Sequence, residues 1–198
     1  PISIDTGLLR KGEVEYIKRI CDETKISVKV IDKSDLFLSN LEGVSDPETK
    51  RKIIGNLFIE CFDEIATEFG AEYLIQGTIA PDWIESGGMG RNTIKSHHNV
   101  GGLPKDMKLK LIEPMRELYK HEVRMVADIL EIPEEMYNRQ PFPGPGLAVR
   151  VIGEITKGHV QIVRDACAIV EGEIETASKE GKMEIPWQYF AALLPTKT

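Results

Sequence analysis

The constraint that bears hardest on this chain is an alternation. Short runs rich in β-branched residues are separated by stretches with helical apolar spacing. Ile2-Ser3-Ile4-Asp5 reads as a strand running into the turn Asp5-Thr6-Gly7. Val14, Ile17 and Ile20 then recur at the spacing of one helical face between Glu13 and Cys21. Ile26 to Asp32 is dense in Ile and Val and reads as a second strand. Asp46-Pro47 opens a long helix, the aspartate as N-cap and the proline at the first helical position. Its apolar positions are Ile53, Ile54, Leu57, Phe58, Cys61, Ile65 and Phe69, and Gly70 ends it. Close packing is the expected reason for Gly55 inside it. Glu72 to Gly77 and Lys108 to Ile112 read as two further strands, and Leu118 to Leu130 as a helix. Strand and helix in this order favour an α/β fold, a doubly wound and mostly parallel sheet with helices on both faces.

The pattern changes after about residue 147. Leu147 to Ile152 reads as a strand, His159 to Ala177 as a helix and Trp187 to Leu194 as a strand. The expected organisation is one domain over residues 1–150 and the opening of a second over 151–198. The strand at Pro1 to Gly7, with no helix before it, suits either a strand that opens a chain or, at least as well, a chain whose first βα unit is missing.

Composition narrows the function. Hydrophobic residues make up 41% and charged residues 29%, enough apolar mass for a sizeable core. A net charge of −7 argues against broad nucleic-acid binding, which needs a basic face, and leaves room for a local basic pocket for one nucleotide. No apolar run reaches the length of a membrane span, so no membrane partner is expected. Cys21, Cys61 and Cys167 lie far apart in helix-like segments and read as buried free thiols, which suggests a reducing, cytoplasmic setting.

In a parallel sheet, ligands bind beyond the carboxyl ends of the strands. Those ends are Asp5-Thr6-Gly7 and Gln76-Gly77-Thr78, each with a glycine where backbone could approach a ligand closely. Arg10 follows the first and could bind a phosphate with its planar fork, or simply open a solvated helix. Thr78 to Ser86 follows the second. One helical turn there brings Asp82 and Glu85 to one face, suited to Mg²⁺ with nucleotide phosphates or to an exposed capped turn. Ile94-Lys95-Ser96-His97-His98-Asn99 lies in a long glycine-punctuated stretch, roughly residues 79–107, of the kind that forms active-site lids. Lys95, His97 and His98 suit a phosphate clamp, a proton-transfer pair or a metal site; adjacent histidines and no nearby cysteine make zinc the weakest of these. Arg139-Gln140-Pro141-Phe142-Pro143-Gly144-Pro145-Gly146 is a rigid turn, either a stiff linker or a pocket wall with Gln140 and Arg150 as polar contacts.

Taken together these segments resemble GMP synthase, in its ATP-pyrophosphatase domain and the start of its dimerisation domain. The resemblance rests on Asp5 to Glu13, Gln76 to Glu85, Ile94 to Pro104, Glu113-Pro114 with Arg116 to Lys120, and Arg139 to Arg150, in the family's order. The texture is similar to the archaeal type, in which the glutaminase is a separate polypeptide. The family's Ser-Gly-Gly-Val-Asp-Ser phosphate loop and its C-terminal tail are not in this stretch, so it is expected to be inactive alone. The resemblance implies a ligase that adenylates XMP with ATP and Mg²⁺ and then aminates it with ammonia from a glutamine amidotransferase subunit. It implies a homodimer. It assigns Asp5, Thr6, Gly7, Gln76, Gly77 and Thr78 to ATP, and Arg10, Gln140 and Arg150 to XMP. Lys95, His97, His98, Asp82 and Glu85 are assigned to catalysis at the lid. A non-catalytic nucleotide-binding module and a related ATP-pyrophosphatase such as NAD synthetase are the alternatives.

Overall fold

The computed structural model describes residues 1–85 and 109–195. It is a mixed α/β structure with parallel strands. The elements in chain order are β1 (Ile2–Asp5), α1 (Glu13–Glu23), β2 (Lys29–Asp32), α2 (Ser34–Leu41), α3 (Pro47–Phe69), β3 (Tyr73–Ile75), α4 (Ala80–Glu85), β4 (Lys110–Ile112), α5 (Lys120–Ile129), α6 (Glu134–Tyr137) and α7 (Lys157–Lys179). Among the described residues four strands form two parallel pairs, β1 with β2 and β3 with β4. The chain divides into two compact units, Pro1–Ile54 with Gln140–Thr198, and Gly55–Arg139.

In the first unit, β1 pairs with β2 from Ile2 opposite Lys29 to Asp5 opposite Asp32. The core is Ile4, Leu8, Ile20, Phe37, Leu41, Leu147, Ala148, Val151, Ile155, Val160 and Val163, all buried. The Asp46 carboxylate accepts from the Thr49 N–H and hydroxyl, both at 2.7 Å, and so caps α3 as the sequence predicts. Thr156 caps α7 by accepting from the His159 N–H at 3.0 Å. Helix α2 is not foreseen by the periodicity. The Asp32 side chain starts it by accepting from the Ser34 N–H at 2.8 Å, and it buries Phe37 and Leu41 completely.

Two expected strands are not strands. Gly146–Arg150 is a 3-10 helix, and beyond it Val151 makes a single parallel bridge to Leu193. Pro143 and Pro145 lie before the run and set a turn into it, the Gly146 N–H donating to the Pro143 carbonyl at 2.9 Å, and Gly146 sits at φ +63. Gly146, Leu147 and Ala148 are buried in succession, which a strand with alternating faces does not do. The Trp187 to Leu194 run is likewise irregular apart from the bridge at Leu193, and Trp187 is exposed.

In the second unit, β3 pairs with β4 from Tyr73 opposite Lys110 to Ile75 opposite Ile112. Cys61, Ile65, Ala66, Ala80 and Ala127 are buried. Gly70 closes α3 at φ +64 as expected. Gly55 is not explained by packing, because nothing lies within 4 Å of where its Cβ would stand. The boundary between the units falls at this glycine. Among the described residues no helix is long and apolar enough to cross a membrane. Cys21, Cys61 and Cys167 are all free thiols, the latter two buried.

Candidate functional site

The first unit gathers three of the sequence-derived candidates around one carboxylate. The Gln140 amide donates to Glu171 Oε1 at 3.0 Å. Arg10 Nε and Arg150 Nη1 each lie 3.9 Å from the same oxygen. Arg10 also donates to the Gln140 carbonyl at 3.0 Å. Both guanidinium groups stand over the Phe142 ring, 4.4 and 5.0 Å from its centroid, and Arg150 also stands 4.7 Å from that of Phe190. The ring of Phe142 in the rigid turn is thus shared by two cations. Arg150 is the inner member, its side chain 3% exposed, while the side chains of Arg10 and Glu171 reach 10% and 20%. Arg150 Nη1 donates to Cys167 Sγ at 3.2 Å, and Nη2 is buried with no hydrogen bond among the described residues. The Gln140 side-chain oxygen accepts from the Tyr189 N–H at 3.0 Å, and the Tyr189 hydroxyl donates to Glu175 at 3.2 Å. Burial, then Glu175, pushes the Tyr189 phenol up to about 12.

The turn Asp5-Thr6-Gly7 is held by its own side chains. Asp5 Oδ1 accepts from the Gly7 N–H at 2.8 Å, and Thr6 Oγ1 from the Leu8 N–H at 3.3 Å. Gly7 sits at φ +71, and a Cβ there would come within 2.9 Å of Ser34 Cβ. The close approach that needs this glycine is to α2. Arg164 donates to the carbonyls of Gly7 at 2.6 Å and Leu9 at 3.2 Å. A cavity of about 760 Å³ opens beside α2 and the start of α7. None of the candidates lines it, and its Asp35 and Lys157 are paired at 2.7 Å.

The second unit carries the other strand end. Gln76 continues the pairing through its N–H to the Ile112 carbonyl at 2.9 Å. Thr78 is buried, Gly77 exposed, and Gln76 Oε1 is buried with no hydrogen-bond partner among the described residues. Glu113 is held below its ordinary carboxylate range, first by the Thr78 hydroxyl, which sits beside it without a well-formed hydrogen bond, and then by Arg116 at 2.6 Å. Trp83 donates to the Arg116 carbonyl at 2.9 Å and lies under its guanidinium. Asp82 Oδ2 accepts from the Ile79 N–H at 2.9 Å, so this carboxylate fastens the start of α4. Glu85 ends that helix. Lys95, His97 and His98 lie outside the described residues. Among the described residues no group of three or more metal-ligating side chains is assembled.

Sequence reasoning missed Glu171, Arg164 and Lys50. Glu171 follows Val163 and Cys167 at four-residue intervals, so a carboxylate interrupting the buried row of α7 was the available signal.

No protein-family model matches the chain. Curated relatives match it from end to end. A GMP synthase (glutamine-hydrolyzing) subunit of Pyrococcus abyssi is 60% identical over 198 residues, which is all of this chain and 61% of the relative. The proteins of the same name from Thermococcus kodakarensis and Thermoplasma acidophilum are 58% and 55% identical, each with 62% of its length covered. The chain thus spans about three-fifths of the length of the relatives it matches. At this level of identity over every described element, the chain is similar to a portion of these GMP synthase (glutamine-hydrolyzing) subunits.

Proposed function

We propose that this protein takes part in the ATP-dependent amination of XMP to GMP, within a C–N bond-forming ligase of purine biosynthesis. The observation that carries the reading is the match of the chain, at 55–60% identity, to relatives named as one subunit of GMP synthase (glutamine-hydrolyzing). The reaction has two steps. The C2 oxygen of XMP attacks the α-phosphorus of ATP, and pyrophosphate leaves. Ammonia then attacks C2, loses a proton, and AMP departs with the oxygen. Neither step needs a covalent enzyme intermediate. Both need the substrates aligned and phosphate charge neutralised.

On this reading the fold is that of an ATP-pyrophosphatase, related to the adenine nucleotide α-hydrolases. Residues 1–150 correspond to that domain and 151–198 to the opening of the dimerisation domain, although 151–195 pack with 1–54. The strand ends Asp5-Thr6-Gly7 and Gln76-Gly77-Thr78 border ATP. Arg10 and Gln140 meet XMP, and Arg150 reinforces the positive potential from behind. The guanidinium forks of Arg10 and Arg150, both beside Glu171, are of the kind that suits a nucleotide phosphate. Lys95, His97 and His98 act from the lid, on sequence grounds, with Asp82 and Glu85 at its start. Mg²⁺ would enter with the ATP phosphates, and no step is assigned to it. Ammonia comes from a separate glutamine amidotransferase. A cytoplasmic homodimer is the proposed assembly.

The test uses the full-length protein with XMP, ATP, Mg²⁺ and an ammonium salt. GMP, AMP and pyrophosphate should appear in equal amounts. Formation of ADP instead would refute the reading. Lys95→Ala should reduce adenylation more than stability, and unchanged turnover would remove Lys95 from the mechanism.

A further inference from the structure

We propose that Glu171 is a positioning residue for the nucleotide-monophosphate side of the reaction, acting through Arg10, Gln140 and Arg150. The inference rests on the functional reading above and adds to it a residue that the sequence motifs do not contain.

The geometry is that of a hub. One oxygen, Glu171 Oε1, is 3.0 Å from the Gln140 amide and 3.9 Å from a nitrogen of each guanidinium. Arg10 and Arg150 share the Phe142 ring, so these like charges are held close together in a partly buried place. Without a carboxylate beside them they repel, and the repulsion is stronger where water is excluded. Glu171 answers that repulsion while leaving the pair cationic. It also fixes the turn. The Gln140 side-chain N–H donates to Glu171, its side-chain oxygen accepts from the Tyr189 N–H, and its backbone carbonyl accepts from Arg10. Every polar group on the Gln140 side chain is therefore oriented before a ligand arrives. Glu171 sits on α7, a 23-residue helix, so the hub is mounted on a rigid element rather than on the turn it aligns.

A residue of this kind acts on substrate affinity. Loss of an aligning partner typically costs ~10–100-fold in the function of the group it aligns. Glu171→Gln keeps the shape and removes the charge. In the full-length protein it should raise KM for XMP by about tenfold or more, with kcat and KM for ATP nearly unchanged. Glu171→Asp keeps the charge and draws it back by one methylene, and should give an intermediate KM for XMP. Thermal unfolding of both variants serves as the control for a merely structural role, which lowers Tm and leaves KM for XMP alone. An unchanged KM for XMP in either folded variant overturns the proposal. Should Glu171→Gln fail to fold, Glu171→Asp decides alone by the same measurement. If the unsubstituted protein makes no GMP, the functional reading fails; if it makes GMP and the variants bind XMP normally, only the role of Glu171 fails.

Discussion

Lys50 offers the sharpest test of how the first unit is held. It stands in the first turns of α3 and is 1% exposed. Its ammonium donates to the carbonyls of Val151 at 2.7 Å and Gly153 at 2.6 Å. Those carbonyls belong to chain with no ladder partner apart from the one bridge at Val151. Replacing Lys50 by Met keeps the aliphatic stem and removes the donor. Two opposed effects follow. The ammonium no longer has to be desolvated, which favours the variant by an amount that for buried ions can reach several kcal/mol. The Val151 carbonyl loses a partner and, with Val151 1% exposed, gains no water, at a cost of ~1–3 kcal/mol. Gly153 is half-buried, so its carbonyl can recover hydration and costs less. Two short charge-assisted bonds are worth ~1.5–3 kcal/mol each, so the bonds win and Lys50→Met should destabilise by about 2–3 kcal/mol. Denaturant unfolding by circular dichroism measures this directly. The pH dependence supplies a second reading. Burial pulls the Lys50 pKa below its ordinary 10.5, with Asp46 opposing. The unfolded chain then binds more protons than the folded one just below pH 10.5, so wild-type stability contains a term that rises with pH there. The Met variant lacks it, and the difference between the two proteins should widen on approach to pH 10.5. A neutral or stabilising Lys50→Met, with a pH-independent difference, would refute the reasoning.

Gly146, Gly55 and Tyr189 test the turn, the long helix and the buried phenol respectively. Gly146→Ala should cost on the order of 2–4 kcal/mol, since a Cβ at φ +63 would stand 2.4 Å from the Leu8 carbonyl oxygen; chemical denaturation that finds no loss would contradict the packing of this turn. Gly55→Ala should instead stabilise by ~0.5–1 kcal/mol, because its Cβ meets nothing within 4 Å, and a fall in Tm would show that α3 needs its glycine. Tyr189 is neutral in the folded protein up to about pH 12, against an ordinary 10.0. Its contribution, at most about 2–3 kcal/mol, is fully present below pH 10 and is lost as pH rises from there toward 12. Stability measured across that window should fall less steeply in Tyr189→Phe, and parallel curves would remove Tyr189 from the account.

What the sequence reveals follows from which residues carry periodic information. β1, α1, α3 and α7 are legible because their apolar residues recur at fixed intervals and because Asp46-Pro47 is a start signal with a mechanism. Leu147 to Ile152 misleads because its apolar residues suit a strand, while the backbone there is decided by Gly146 and two prolines. Among the candidates, Arg10, Gln140 and Arg150 do converge, yet nothing in their own segments names the carboxylate they meet. Glu171 lies in Glu171-Gly172-Glu173, which reads as a solvated charge run. Lys50 lies in Lys50-Arg51-Lys52 and reads the same way, and only the return of residues 151–153 over the first turns of α3 buries it. Asp82 reads either as a Mg²⁺-facing carboxylate beside Glu85 or as the cap of an exposed turn, and its bond from the Ile79 N–H is that of a cap.

Three cations of the first unit share one task. Irregular chain that is buried has carbonyls with no ladder to satisfy them, and each needs a donor from elsewhere. Lys50 serves Val151 and Gly153, Arg164 serves Gly7 and Leu9, and Arg10 serves Gln140. The first strand end and the proline-glycine turn are thereby fixed by long side chains rather than by sheet. Long side chains lose much rotamer freedom when ordered, so such a scaffold is costly unless the geometry it fixes is needed. Here it fixes the backbone on either side of Arg10 and Phe142, the residues that meet Glu171 and Arg150. The cationic cluster is consequently aligned before any ligand arrives, and binding there does not have to order it. Loss of Arg164 should therefore weaken nucleotide binding as well as stability, because it loosens the turn from which Arg10 projects. Calorimetry on a folded Arg164→Met protein would register this as a weaker Kd for XMP, and an unchanged Kd would separate the scaffold from the site.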